Sequence, residues 1–283
     1  MNSNMKINIA AVTILICLFA SCKSNDQNKS NDQKENNVTV PEFQNKGHEL
    51  VFKMVTKVGN YNKLVKKHDV TYTYTYSTPE GKINISTEKY IFAGEYSYGK
   101  YTKHGRTLPQ LEGIIEQGYD GKEYWLKHNG VVSTDENHLK KVAFNRPTNF
   151  YWFCMMQKLL DPGLNYEYIG EKSINDNDYD IVKITFNSEN KQPKDTYQLY
   201  LNKETYLVDQ FLFTIADFGV MTPKLMQVEY EEVEGLLIPT KRQYKNSTWD
   251  ADISDEPWIT ATWTDIKFNT GITENDFKKE NNK

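Results

Sequence analysis

The sequence has few of the residues that announce a catalytic centre. Five histidines occur in 283 residues, and none falls at ligand spacing. His48-Glu49 is followed by Phe52 where a second zinc ligand would have to stand one helical turn on, and His68, His104, His128 and His138 lie far apart without carboxylates at matching intervals. There is no Gly-x-Ser-x-Gly elbow. The stretch GEYSYGKYT, Gly94 to Thr102, comes close to a phosphate-binding loop. Tyr101, however, takes the Ser/Thr place and no helical pattern follows, so a tyrosine-rich strand is expected. DNDYD, Asp176 to Asp180, begins like a calcium loop, yet Ile181 stands in place of the glycine and Asn187 in place of the closing glutamate, so it reads as a hairpin turn. The cluster Asp250, Asp252, Asp255 and Glu256 reads as a solvated loop. No enzyme, no metal site and no cofactor are expected. A formal net charge of −4 with a pI near 5.8 argues against a nucleic-acid partner.

Cysteine is scarcer still, with Cys17, Cys22 and Cys154 alone. The first lies in the apolar run Ile7 to Ala20, which follows a basic Lys6 and ends at the small Ser21, the three parts of an export signal. Fourteen residues are too few to cross a bilayer as a helix, which takes about 20. Phe19-Ala20-Ser21-Cys22 resembles the lipobox of bacterial lipoproteins, which implies removal of residues 1–21 and lipidation of Cys22. Several acyl chains at roughly 0.8 kcal/mol per buried methylene make a stable anchor. Only Cys154 would then keep a free thiol, so no intramolecular disulfide could form and stability would have to come from a core.

After Cys22 there is no apolar side chain from Lys23 to Asn37, and the unit KSNDQ occurs twice, at 23–27 and 29–33. Such a stretch cannot bury enough surface to offset its ordering entropy, so residues 22–40 are expected to be a lipidated cysteine and a disordered tether spanning roughly 20–25 Å. One folded domain is expected over 41–283.

Within it, Leu50, Val51, Met54, Val55 and Val58 recur at helical spacing up to Gly59, while Glu49, Lys53 and Lys57 take the other side. DVTYTYTYST then alternates strictly, with Val70, Tyr72, Tyr74 and Tyr76 on one face. Pro79-Glu80-Gly81 turns the chain into KINISTEKYIFAG, whose apolar parity shifts between Ile85 and Tyr90 and suggests a bulge. Asp120-Gly121 and Asn129-Gly130 bracket KEYWLKH as hairpin turns. Residues 135–160 break the β pattern, with Thr134 or Asp135 able to cap one helix and Thr148, after Pro147, a second. After Pro162-Gly163 seven further strand patterns run to the end, with turns at Asn175 to Asp178, Asn202 to Thr205 and Glu234-Gly235. Strands without interleaved helices imply an antiparallel sheet, and about ten or eleven of them should curl. The expected class is α+β, mainly β, with helices capping the concave face.

One apolar surplus stands out. FYWFCMM, Phe150 to Met156, has no polar break, so a helix carrying it needs cover on several sides. It is either a core helix or a lid over a cavity. Candidate ligand-binding residues are Tyr72, Tyr74, Tyr76, Trp125, Trp152, Phe153, Met156, Phe211 and Phe213.

The order helix, strands, helical insertion, strands, closing on EGLLIPTKRQY and TWTDIKFNTGITENDF, resembles the LolA/LolB-like envelope lipoprotein superfamily over most of residues 42–279. The resemblance rests on Glu234 to Pro239 and on Phe268-Asn269 through Phe277. It implies an antiparallel half-barrel whose concave side accepts acyl chains, on a monomeric outer-membrane lipoprotein that meets the membrane through its anchor. The resemblance also implies an early-strand arginine fastening the lid, whereas Arg106, Arg146 and Arg242, the only arginines, all lie beyond the first two strands. A tethered domain can hold a lipid at one membrane but cannot ferry it, which favours a receptor over a shuttle. The alternative is a structural or protein-interaction lipoprotein with a filled core.

Overall fold

A computed structural model describes residues 42–188 and 194–279; the signal and tether segments, with Cys22, lie outside the described residues. The chain enters through α1 (Lys46–Val58), where the Asn45 side chain accepts from the His48 amide at 3.1 Å and Gly59, at φ 90°, ends the helix. Its buried side carries Leu50, Val51, Met54, Val55 and Val58, the residues that the helical spacing singles out. A short α2 (Tyr61–Val65), which the spacing does not reveal, follows under an Asn60 cap.

Two meanders then build one sheet. The first runs outward through β1 (Asp69–Ser77), β2 (Ile83–Ile91), β3 (Tyr96–His104), β4 (Ile115–Tyr119), β5 (Tyr124–His128) and β6 (Val131–Val132). Helix α3 (Glu136–Lys158) carries the chain to the opposite edge. The second meander returns through β7 (Leu164–Ile174), β8 (Asn177–Phe186), β9 (Thr196–Asn202), β10 (Val208–Ile215), β11 (Val220–Val233), β12 (Leu236–Asn246) and β13 (Ile259–Phe268). The order is β6-β5-β4-β3-β2-β1-β13-β12-β11-β10-β9-β8-β7, antiparallel at every pairing, so the two meanders meet where β1 pairs β13. The sheet curls without closing, and α1 and α3 cover its concave face. Among the described residues it has thirteen strands instead of ten or eleven. The excess lies in the first half, where the Asp120-Gly121 and Asn129-Gly130 turns cut residues 115–132 into three short strands.

Two further expectations are corrected. The insertion is one helix and not two: Asp135 caps it, accepting from Asn137 N at 2.8 Å and His138 N at 3.1 Å, and Pro147 sits inside it. Thr148 caps nothing; its hydroxyl donates to the Phe144 carbonyl at 2.6 Å, within the same helix. An interior proline costs roughly 3 kcal/mol. Burial of Phe150, Phe153, Cys154, Met155 and Met156 immediately beyond it offsets that cost, at about 1.5–3 kcal/mol per large apolar side chain. The bulge is real but sits on β3, not β2: Ile85 pairs Lys103 while Ser86 pairs Tyr101, leaving Thr102 unmatched. In β2 the parity never changes, and the inward residues are Asn84, Ser86, Glu88 and Tyr90, three of them polar.

The core falls into two main clusters. One joins α1, Met155, Met156 and Leu159 to Val182, Leu199, Phe211 and their neighbours on β7 to β11. The other gathers Tyr72, Tyr90, Phe92, Phe150, Phe153, Cys154, Trp263 and Phe268 around the seam of β1 and β13. FYWFCMM divides between them, which is why a helix apolar all round is stable here. The Cys154 thiol is wholly buried, and burial pushes its pKa well above the usual thiol value, so it behaves as a small hydrophobe.

Candidate ligand cavity

Between the concave face and the middle of α3, from Ala143 to Trp152, lies a cavity of about 460 Å³. Its floor follows from strand register. Tyr76 pairs Ala261 and Ala261 pairs Arg242, so three neighbouring strands present a tyrosine, an alanine and an arginine in one row. Ala261 has only a methyl group to fill the middle of that row. Alongside, Tyr74 pairs Trp263, and Tyr244 pairs Met226. The Tyr76 and Tyr244 hydroxyls meet at 2.6 Å, and Phe213 packs edge-on to both Trp152 and Tyr244. Phe144, Pro147, Tyr151 and Trp152 from α3 form the roof, with Asp195, Asp217 and Phe218 at one rim.

Two cations line this space. Arg242 is 5% exposed, with Nη2 donating to the Trp152 carbonyl at 2.7 Å and Nε to the Pro239 carbonyl at 3.3 Å. Its guanidinium lies 4.2 Å from the Trp263 ring centroid. Burial pushes its pKa down to about 10, opposed by neighbouring tyrosines. Arg106, exposed, lies 4.6 Å from the Tyr76 ring centroid.

Beside the cavity a polar network ties lid to sheet. Arg146 on α3 and Glu88 on β2 pair at 2.8 Å, both side chains fully buried. Ser86 donates to Glu88 at 2.6 Å, Tyr90 donates to it at 3.0 Å, and the Tyr90 hydroxyl meets that of Tyr72 at 2.9 Å. On the other side Arg146 and Asn149 donate to the Tyr101 hydroxyl at 2.8 and 3.2 Å. The first two strands hold no arginine, as expected, and what ties lid to sheet here is a carboxylate on β2 and an arginine on α3. Glu88 and Arg146 escape a search for apolar surplus. The signal available was a charged residue at an inward place of an alternating strand and an arginine beside the proline of an oily helix.

Of the candidate binding residues, Tyr72, Tyr74, Tyr76, Trp152 and Phe213 line the cavity. Phe153, Met156 and Phe211 lie in the packed clusters with no solvent exposure. Trp125 is elsewhere: its indole donates to the Phe277 carbonyl at 2.7 Å and lies flat on Gly118, where any Cβ would overlap it. The turn between β7 and β8 is Asn175-Asp176, at φ 47° and 67°, so DNDYD contributes Asp176 to the turn and its other four residues to β8.

Sheet order, uninterrupted antiparallel pairing and helices on the concave side settle the architecture. The fold is an open antiparallel half-barrel. Among solved structures, the chain is similar to a DUF1329 family protein from Desulfovibrio piger at 12% identity, over 82% of this chain and 95% of that one, with a TM-score of 0.48. It matches a LolA superfamily protein from Nitrosomonas europaea at 11% identity, over 77% and 97%, with a TM-score of 0.43. It also matches the lipoprotein LppX of Mycobacterium tuberculosis at 9% identity, over 80% and 97%, with a TM-score of 0.30. At these identities the likeness is one of fold alone. No protein-family model matches the sequence, and no curated protein matches it.

Proposed function

We propose that this chain is a non-enzymatic lipoprotein of the cell envelope, anchored in the outer membrane through Cys22, whose half-barrel holds a lipid or another hydrophobic molecule between sheet and lid. The observation that supports this reading is the cavity itself. Its volume of about 460 Å³ falls within the roughly 300–1,000 Å³ of small-molecule sites, and aromatic rings with a few convergent polar groups line it, as such sites require. A core of this size is otherwise close-packed, with few voids larger than a water. The row Tyr76, Ala261, Arg242 keeps the space open because its central member is the smallest.

Delipidated protein is expected to take up a fluorescent fatty acid saturably, and Ala261→Phe to abolish uptake while leaving the fold intact by circular dichroism. Absence of saturable uptake by the wild type would favour a purely structural envelope role. The anchor is tested separately: Cys22→Ser should leave the protein unlabelled by radioactive acyl donor and free of the membrane fraction.

A further inference from the structure

The two buried arginines are treated differently by the fold. Arg146 has a carboxylate at 2.8 Å, whereas Arg242, just as inaccessible in practical terms at 5% exposure, has none. Among the described residues no Asp or Glu pairs with it. Its contacts are two backbone carbonyls and the faces of Trp152 and Trp263. A guanidinium carries five N–H donors, and among the described residues only Nε and Nη2 meet an acceptor. A buried cation without a counter-charge is costly. This one borders an open space whose neighbouring floor position is an alanine.

We propose that the cavity selects anionic amphiphiles, the carboxylate or phosphate head seated on the Arg242 guanidinium and a single chain lying along the aromatic lining. The inference rests on the cavity being a ligand site and adds the class of ligand. Arg242 remains cationic at neutral pH even with its pKa pushed down to about 10. The guanidinium fork matches both carboxylate and phosphate oxygens. Arg106, over Tyr76, adds a second cation to the lining. The two acids that also line the cavity belong to a different rim, that of β9 and the turn after β10, where Asp195 accepts from the Ala216 amide at 2.7 Å. A head on Arg242 therefore leaves the chain to run toward Phe213.

The test compares a fluorescent fatty acid, its methyl ester and the alkyl phosphate of the same length, titrated into the delipidated wild type. The acid, the phosphate or both should bind about tenfold or more tightly than the ester, as a charge-assisted hydrogen bond to a largely buried guanidinium demands, and their ratio tells which head is preferred. Arg242→Gln should bring the three ligands within about threefold of one another, while Arg242→Lys should restore part of the preference. Equal affinities in the wild type, or a preference that survives Arg242→Gln, would overturn the proposal and leave Arg242 a clamp on the lid, with the hydrophobic site standing. Uptake of none of the three would remove the ligand reading and this one together. Because the wild-type comparison needs no variant, misfolding of Arg242→Gln would not rescue the idea.

Discussion

Glu88 of β2 and Arg146 of α3 form an ion pair of 2.8 Å from which solvent is wholly excluded, joining the first meander to the helix that crosses above it. Burial opposes the charged guanidinium, but the carboxylate outweighs it and holds Arg146 above its usual range. Removing one partner strands the other charge. Glu88→Gln or Arg146→Met should each cost about 3–5 kcal/mol, and the paired apolar replacement Glu88→Leu with Arg146→Met much less than the sum. Urea midpoints of the four proteins would check this; additive losses would show that the pair does not act as a unit.

Gly99 makes room for that pair. A Cβ there would lie 2.6 Å from Arg146 Nη1 and 2.7 Å from Glu88 Oε1. Gly99→Ala should therefore destabilise by about 1–3 kcal/mol although it adds one methyl to a strand, where alanine is otherwise favoured over glycine. A raised thermal midpoint would contradict it.

The Trp125 indole holds the C-terminal turn through the Phe277 carbonyl at 2.7 Å. Trp125→Phe leaves that buried acceptor without a donor, a loss of about 1–3 kcal/mol felt locally. Trypsin should then cleave at Lys278 faster while the urea midpoint of the sheet falls less than in the Glu88 variants.

Alkaline pH supplies a further prediction. Burial pushes the Tyr101 phenol up to about 12, against the opposing Arg146 guanidinium. A folded pKa raised above the ordinary 10 contributes stability that is complete below pH 10 and is lost as pH rises from 10 to about 12. Stability measured across that window should fall, and Tyr101→Phe should make the fall shallower. The difference in phenolate absorbance between the wild type and Tyr101→Phe should show Tyr101 ionising near pH 12 and not near 10.

Much of the fold was legible before any coordinates. Helix α1 declares itself because Leu50, Val51, Met54, Val55 and Val58 must share one side, and β1 because its tyrosines alternate with threonines. The hairpins declare themselves because Asn-Gly and Asp-Gly tolerate left-handed backbone. The single helix through Pro147 was not legible, since local rules say break and only tertiary burial says continue. Glu88 was missed because an inward carboxylate on β2 makes sense only once Arg146, distant in sequence, is placed over it. Trp125 looked like a cavity aromatic because burial alone does not tell which neighbour an indole has; its partner is a backbone carbonyl near the far end of the chain. The concentration of aromatic residues on β1, the helix and β10 did locate the hollow, but not its cation. Arg242 lies in a strand whose other inward residues are apolar or small, and a lone arginine there has no pattern.

The meeting of β1 with β13 has a consequence for assembly. The central seam joins β1 to β13, so Asp69 receives hydrogen bonds from Thr270 and Gly271 only once a partner 201 residues further along the chain has been made. Until then each half offers an unprotected strand to its surroundings, and such distant pairings form slowly. A chain of this topology depends on being kept from sticking while it waits, and loss of β13 would leave the middle of the molecule, and not its border, unzipped.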